Sequence, residues 1–456
     1  MHQTEDEIIV KPMVVDAERM IATAPPSPDK SMTHRAIMLA SMAAGTSRIA
    51  NPLTGSDCLA MRRAFADCGV TFQDAINDAG EPQWIVTSKG LDHLQQPDHP
   101  LDLGNSGTAA RLLIGLFSSL KDFKCSLTGD DSLRSRPMGR VVEPLRNMGA
   151  EISYTKSPGK LPLTITSRSL NPRTHTLAIA SAQLKSALLF AGLSTRGETV
   201  VELPAGSRDH TETMLQHLGA SIRRLVPGER EIVSVVGPWR PNPFECTIPA
   251  DPSSVAFFAA MSAIHPSLQI NAQRLIKNKS RIGFYEKLAE MGVEVCWSNE
   301  KADPECLGER VADLGVKSGA VLSLKPIHVP AAVTVRMIDE VPVLAIVATF
   351  ADGVSLFEGL SELRVKESDR LSQLVHLLGA AGVRVENGAD WLRVYGSGIR
   401  PVNAFSFESD DHRLVMSAMI LATKADAPSK IKGVSWIDTS FPLFRRAFQN
   451  ITSGTK

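Results

Sequence analysis

This 456-residue chain has no surplus of charge and no cysteine framework. Its 49 basic residues are balanced by 49 acidic ones, and the isoelectric point is near 7.2. A broad nucleic-acid or anionic-membrane surface needs an excess of Lys and Arg, so both are excluded and any cationic site must be local. Aromatic residues reach only 5 %, too few to furnish the stacking platforms of a single-strand binder. The six cysteines, Cys58, Cys68, Cys125, Cys246, Cys296 and Cys306, include no CxxC pair and no His at metal-ligand spacing. Neither a disulfide scaffold nor a zinc site is indicated, and a reduced, cytoplasmic setting is expected. The longest apolar runs, 341–350 and 414–422, fall far short of the roughly 20 residues that a membrane-spanning helix requires. Residues 1–10 are acidic and lack the basic flank and apolar core of a leader. A Walker A loop and a dinucleotide GxGxxG are missing as well.

What the chain does contain is a long-period repeat in two interleaved series. Six apolar, Ala- and Leu-rich stretches each begin at a polar cluster. Three of these are Asp29-Lys30-Ser31 with Arg35, Gly104-Asn105-Ser106-Gly107-Thr108 with Arg111, and Ser181-Ala182-Gln183 with Lys185. The others are Asp251-Pro252-Ser253-Ser254, Asp339-Glu340-Val341-Pro342 and Asp410-Asp411-His412-Arg413. Helix starts carry unsatisfied N–H groups and partial positive charge, so such ends with Lys and Arg among them suit a small, highly anionic ligand. Between them lie amphipathic stretches closing on a Gly: Cys68-Gly69-Val70, Met148-Gly149-Ala150, Leu218-Gly219-Ala220, Met291-Gly292-Val293 and Ala381-Gly382-Val383. The Gly predicts a left-handed helix cap and the residues after it a strand. A sixth amphipathic helix is expected at 441–448.

The apolar helices, 36–44, 109–117, 186–193, 255–264, 343–350 and 414–422, lack a polar face and must be buried on every side. The Gly-capped ones carry spaced charges and face solvent. The expected fold is therefore α/β, a two-lobed inside-out barrel, each lobe built from three repeated helix-and-strand units with buried central helices. A chain of this length accommodates about two or three domains. Prolines at 25–28, 241–243 and 249 mark the boundaries. They place one lobe at 28–248 and the other at 1–27, whose first strand is 8–15, together with 249–456. A two-strand hinge would join the lobes. Residues 299–320 are polar and read as a surface insertion.

The chemistry-bearing residues each have a plain alternative. Ser31 reads as a helix N-cap with Lys30 and Arg35 as anion ligands, or all three belong to an ordinary capped helix. The Gly104–Thr108 loop can aim N–H groups at a phosphate or carboxylate, though Gly turns before helices are common. Pro137 is expected to start a helix with Arg136 just outside it, free to clamp an oxyanion, while Arg134 and Arg140 read as surface charges. Lys366 and Arg370 are i,i+4 neighbours with Glu367 beside Arg370, at a strand-to-helix junction where ligand residues concentrate. Asp339 is either a helix cap or a group that accepts a proton from, or orients, a substrate hydroxyl.

Taken in order, these segments closely resemble the 5-enolpyruvylshikimate-3-phosphate synthase family, from about residue 20 to 445. The markers are Asp29-Lys30-Ser31 with Arg35, the Leu-Gly-Asn-Ser-Gly-Thr loop with Arg111, Arg136-Pro137-Met138, Ser181-Ala182-Gln183, Asp339-Glu340, Lys366-Glu367-Ser368-Asp369-Arg370, Asp411-His412-Arg413 and Ser440-Phe441-Pro442. The resemblance implies two lobes of three repeats, and transfer of the enolpyruvyl group of phosphoenolpyruvate to shikimate 3-phosphate with release of phosphate, without metal or organic cofactor. It assigns Lys30, Ser31, Arg35, Ser181, Ala182, Gln183, Arg208, Asp339 and Lys366 to phosphoshikimate. Lys30, Asn105, Gly107, Arg136, Gln183, Arg370, His412 and Arg413 fall to phosphoenolpyruvate, and Asp339, Glu367 and Lys30 to catalysis. The implied partners are these two substrates alone, and the implied chain is a monomer. Ser181-Ala182-Gln183-Leu184-Lys185 and Arg208-Asp209-His210-Thr211-Glu212 look like the second bacterial subgroup, which includes glyphosate-tolerant members, whereas Gly107 is the small residue of sensitive ones. Thr439 and Glu362 stand where some members carry Lys and Asn, and Pro28 where Gly is common. The nearest rival is the enolpyruvyl transferase acting on UDP-N-acetylglucosamine, which uses a loop cysteine; Cys125 here lies in a strand-like run instead. A catalytically silent anion-binding relative is the other alternative.

Overall fold

The computed structural model describes residues 6–13, 20–25, 27–318, 323–398 and 400–453. Residues 14 and 15 of the expected first strand, Pro26, and 319–320 of the expected insertion lie outside these. The described chain is an α/β structure with six mixed sheets, and one strand order recurs. The repeat is clearest from Leu101 onward. The strand Leu101–Asp102 leads into the helix Gly107–Ser118 and the strand Lys124–Thr128, then the helix Gly139–Asn147 and the hairpin Glu151–Tyr154/Leu163–Thr166. The first strand pairs parallel with the second, and the second antiparallel with the last. The same order holds for the sheets containing Gly197–Pro204, Leu268–Ile276 and Asp352–Glu358.

Three strands are supplied out of sequence. Glu245–Thr247 provides the parallel first strand beside Ala44–Ala50. Met20–Thr23 does the same for Leu268–Ile276. In the sixth repeat Glu7–Val10 replaces the hairpin, pairing antiparallel with Ser429–Lys432.

The chain divides into two compact units. One is Pro28–Pro249 with Ala302–Glu309; the other is Met1–Ser27, Ala250–Lys301 and Arg310–Lys456. The run expected as a continuous 249–456 is thus interrupted: Ala302–Glu309 clusters with the first unit, so the chain passes between units at four points rather than two. The cause is burial. Glu309, 1 % exposed, meets His210 Nδ1 at 2.6 Å, and Cys306 is fully enclosed. Nor is 299–320 an insertion. Glu294–Ala302 and Arg310–Lys317 are neighbouring strands of a four-stranded sheet, and Val311, Ala312, Leu314 and Val316 are buried. Charged residues on the outer face had masked the inner one.

The apolar stretches form the helices Lys30–Met42, Gly107–Ser118, Ala182–Gly192, Pro252–Ile264, Val341–Ala348 and His412–Ala422. Every residue of Pro252–Ile264 and of Val341–Ala348 is buried. Each large side chain so enclosed contributes about 1.5–3 kcal/mol of apolar burial. Close packing needs small residues: a Cβ on Gly115 would lie 2.2 Å from the Ala187 carbonyl oxygen of the neighbouring core helix. Five of these helices are N-capped by their own side chains, Asp29, Ser106, Ser181, Asp251 and Asp411.

The amphipathic helices end as the glycines predict. Gly69, Gly149, Gly219, Gly292 and Gly382 all have φ between 78° and 105°. The N–H of the following residue reaches back five positions: Val70 to Phe65, Ala150 to Leu145, Ala220 to Leu215, Val293 to Leu288 and Val383 to Leu378. This is the Schellman closure, which satisfies late carbonyls and turns the chain into the next strand. The last amphipathic helix spans Phe444–Thr452, a few residues later than the expected 441–448. No helix among the described residues is long and apolar enough to cross a membrane.

Candidate active site

Each unit carries one polar cluster at the starts of its core helices. In the Pro28–Pro249 unit the cap of Lys30–Met42 is Asp29, which accepts from Met32 N at 2.7 Å. Ser31, expected as the cap, is instead the second residue of the helix, and Asp29 fills the role because its carboxylate reaches the free N–H one turn ahead. Lys30 pairs with Asp57, a residue outside every motif singled out above. Arg35 is 3 % exposed and donates to the Ser31 carbonyl (3.0 Å), Thr211 Oγ1 (2.6 Å) and Ser186 Oγ (2.8 Å). Its guanidinium is therefore held by two other elements.

The glycine loop is equally tied. Asn105 donates to Asp130 Oδ2 at 2.8 Å and accepts from Arg136 Nη2, which also reaches Ser132 Oγ at 3.3 Å. Arg136 caps the end of the short helix Asp131–Ser135, and the next helix begins only at Gly139 with Met138 as its cap. Pro137 does not start that helix; its carbonyl instead accepts from Arg111 Nη2 at 3.4 Å. Arg111 Nη1 donates to Gln183 Oε1 at 2.8 Å, and Gln183 Nε2 donates to Thr108 Oγ1 at 2.9 Å. The Gln183 amide is pinned at both ends. A Cβ on Gly107 would lie 2.8 Å from Arg136 Nη1 and 2.9 Å from Arg111 Nη1. Glycine at that position lets two guanidinium groups close on one backbone. Ser181, Ala182 and Arg208 are half-buried. Lys185, named with the Ser181–Gln183 cluster on sequence, is fully buried and paired with Glu212 and Glu231, so it faces the interior.

In the other unit the centre is Arg370, 1 % exposed, the first residue of the helix Arg370–Ala380. Its Nε donates to Asp411 Oδ2 at 2.7 Å, its Nη1 to Asp339 Oδ1 at 3.1 Å and its Nη2 to Glu367 Oε2 at 2.6 Å. Burial acts to lower its pKa, but Asp411, Glu367 and Asp339 together raise it above the ordinary arginine value. Lys366 and Glu367 precede the helix rather than sharing its face, because Asp369 caps it and a 3₁₀ turn, Ser361–Val365, comes before. The i,i+4 reading of Lys366 with Arg370 is thus replaced by a hub: both reach Asp339, Lys366 Nζ at 3.5 Å.

Asp339 is not a cap. The N-cap of Val341–Ala348 is Glu340, and it makes no capping bond. The half-buried Asp339 carboxylate meets Lys366, Arg370 and, at 3.7 Å, Arg413 Nη2. Arg413 Nη1 also lies 3.3 Å from the Asp339 carbonyl and 3.7 Å from Glu340 Oε1. Glu340 is 2 % exposed, and neither carboxylate oxygen accepts a hydrogen bond. Burial, then the charge of Glu340, pushes the Tyr285 hydroxyl well above its ordinary pKa. His412 is buried at the first position of the helix that Asp411 caps.

A buried histidine, His34, adjoins the first cluster. Desolvation, then Lys30 and Arg35, hold its pKa well below the usual 6.5, so the ring is neutral. Thr439 turns its hydroxyl onto the Trp436 carbonyl. Sequence reasoning missed Asp57, Thr211 and Ser186 as the partners that hold Lys30 and Arg35, and Asp130 as the partner of the Asn105 amide. None lies in a cluster with its partner, and only the fold brings them together.

The geometry in each unit, cations and carboxylates converging at core-helix starts, suits small substrates bearing several negative charges. The chain is 42 % identical over 420 residues to the 3-phosphoshikimate 1-carboxyvinyltransferase of Hyphomonas neptunium, covering 91 % of this chain and 93 % of that one. It is 40 % identical over 441 residues to the same-named enzyme of Paramagnetospirillum magneticum, with 96 % of both chains covered. Among solved structures, an EPSP synthase from Acinetobacter baumannii superposes with TM-score 0.82 at 34 % identity, over 98 % of each chain. The enolpyruvyl transferase NikO of Streptomyces tendae, at 15 % identity and TM-score 0.74, shares the fold. The family model for EPSP synthase (3-phosphoshikimate 1-carboxyvinyltransferase) matches residues 16–448, and this chain belongs to that family.

Proposed function

We propose that the chain transfers the enolpyruvyl group of phosphoenolpyruvate to the 5-hydroxyl of shikimate 3-phosphate, releasing phosphate, on the route to chorismate and the aromatic amino acids. The observation that carries this reading is the half-buried Asp339 carboxylate, gathered with Glu367 around Arg370 in a chain of this family. The acceptor oxygen forms a bond to C2 of phosphoenolpyruvate while C3 gains a proton, giving a tetrahedral intermediate. The C2–O bond to phosphate then breaks and C3 loses a proton, restoring the double bond. Asp339 takes or aligns the hydroxyl proton, and Lys30 and Glu367 handle the proton at C3.

Each substrate carries a phosphate and a carboxylate. Lys30, Ser31, Arg35, Arg208 and Lys366 serve the charged groups of phosphoshikimate, with Ser181, Ala182, Gln183 and Asp339 fixing its orientation. Arg136, Arg370, Arg413 and His412 serve phosphoenolpyruvate, with Asn105, Gly107 and Gln183 around them. No metal or organic cofactor enters the scheme. The finer architecture follows the same reading: three repeats per lobe, core helices inside and a sheet outside each, supported by helices buried all round and one sheet per repeat. The enzyme acts as a monomer in the cytoplasm, a setting supported by six free thiols, five of them buried.

The test is phosphate release from phosphoenolpyruvate with shikimate 3-phosphate as acceptor, run beside UDP-N-acetylglucosamine. Turnover with the first supports the proposal; turnover only with the second, or with neither, overturns it. One observation already weighs against the sugar-nucleotide reading. Cys125 sits in the strand Lys124–Thr128, where burial pushes its thiol far above the ordinary value, a poor setting for a reactive cysteine.

A further inference from the structure

A buried ion network flanks Arg208 in the chain and has no part in the chemistry above. Its centre is Glu231, fully buried on the strand Arg230–Gly237. The carboxylate accepts from Lys185 Nζ at 3.0 Å, Arg224 Nε at 2.8 Å and Ser207 Oγ at 3.3 Å. Lys185 in turn pairs with Glu212, and Arg224 Nη1 pairs with Asp209 at 2.9 Å.

These partners belong to pieces of chain that matter. Ser207, Asp209 and Glu212 flank Arg208. Within residues 207–212, Ser207 is tied to Glu231, Asp209 to Arg224, His210 to Glu309, Thr211 to Arg35 and Ser186, and Glu212 to Lys185. Arg208 sits inside a stretch whose every neighbour is fastened to the interior. Lys185 lies in the first turn of the helix that Ser181 caps, two residues beyond Gln183. One carboxylate thus holds both the Arg208 loop and the Ser181–Gln183 helix start.

We propose that Glu231 is a positioning residue for the phosphorylated acceptor, fixing Arg208 against the start of the Ala182–Gly192 helix. A buried carboxylate with three donors is rigid, because losing any one leaves a charge or dipole uncompensated in a poorly solvated place. Rigid placement reduces the ordering that a ligand must otherwise impose when it binds. A neutral group at position 231 leaves Lys185 and Arg224 without their shared anion, and the Ser207–Asp209 loop loses the tie through Ser207 and the support of Arg224. The Asn105–Arg136 and Arg370 groups lie on other elements and keep their contacts.

The inference rests on the reading that Arg208 and Ser181–Gln183 take shikimate 3-phosphate. The experiment is Glu231→Gln in the full chain, with calorimetric binding of shikimate 3-phosphate measured alongside steady-state kinetics. The dissociation constant and KM for shikimate 3-phosphate are expected to rise about tenfold or more, while KM for phosphoenolpyruvate and kcat stay within about threefold. A general loosening of the fold moves both KM values together, and that result, or no change in either, overturns the proposal. If Glu231→Gln does not fold, Arg224→Gln serves instead. Its side chain is 37 % exposed, and it should shift the same constant in the same direction by about threefold; equal shifts for both substrates, or none, again overturn it. Wild-type chain that binds shikimate 3-phosphate without turning it over fails the reaction proposal but still tests this one. Wild-type chain that neither binds nor reacts overturns both.

Discussion

The two polar clusters are built from similar residues but differently wired. In the Pro28–Pro249 unit, the bonds described for Arg35, Arg111 and Arg136 run to hydroxyl, amide and carbonyl oxygens. In the other unit, Arg370 spends its three nitrogens on three different carboxylates. A neutral partner orients a guanidinium without itself cancelling the charge. A carboxylate partner orients both groups and neutralises much of the charge, which suits a place where acids and bases must be held at fixed spacing. The difference lies in what orients each guanidinium, neutral oxygens in one unit and carboxylates in the other.

The strongest way to break this comparison is Asp339→Ala. Turnover should fall by about a thousandfold or more, since removing a proton-handling group typically costs two to four orders of magnitude, while shikimate 3-phosphate still binds in calorimetry. Near-normal phosphate release would sink the assignment.

The same substitution in each cluster sharpens it. Arg370→Lys leaves one ammonium to serve three carboxylates and should destabilise the chain by about 3 kcal/mol, the scale of breaking a buried pair. Arg136→Lys, whose guanidinium meets Asn105 and Ser132, should cost about 1 kcal/mol in urea denaturation and act mainly on KM for phosphoenolpyruvate. Equal losses of stability would erase the distinction.

Gly107→Ala tests the Pro28–Pro249 cluster alone. Its methyl displaces Arg136 and Arg111, and KM for phosphoenolpyruvate should rise about tenfold with little change in unfolding free energy. A rise confined to KM for phosphoshikimate would contradict the placement.

The smallest expected effect is on pH dependence. His34 is neutral in the folded state because burial, Lys30 and Arg35 disfavour its cation. The unfolded chain takes up a proton below about pH 6.5, so this residue withdraws stability as pH falls through that value, by about 1 kcal/mol between pH 7 and 5.5. His34→Leu should flatten the urea-denaturation profile over that window by one proton; an unchanged slope would show that the ring titrates normally.

How much of this was legible in the chain depends on distance along it. The core helices were readable because an all-apolar run with a polar start has one physical solution, burial on every side. The Gly-capped ends were readable because a left-handed closure selects glycine locally. The hairpin Glu294–Ala302/Arg310–Lys317 was not, since lysines and glutamates on its outer face dilute the alternation of its inner one. Lys366 and Glu367 were read one turn too far into the helix because Asp369, the true cap, sits inside a run of charges. Lys185 was grouped with the polar helix start at Ser181–Gln183; its partner Glu231 lies 46 residues away, and no local pattern announces such a pair.

The strand Glu245–Thr247 carries a consequence for synthesis. Its partner, Ala44–Ala50, is made about two hundred positions earlier, Arg48 being opposite Glu245. At about 5–20 residues per second, a ribosome takes about 10–40 s to deliver the closing strand. Throughout that interval the nascent first sheet shows an open edge, the kind of surface that seeks another chain. Yield during rapid overproduction should therefore depend on how well that early edge is shielded.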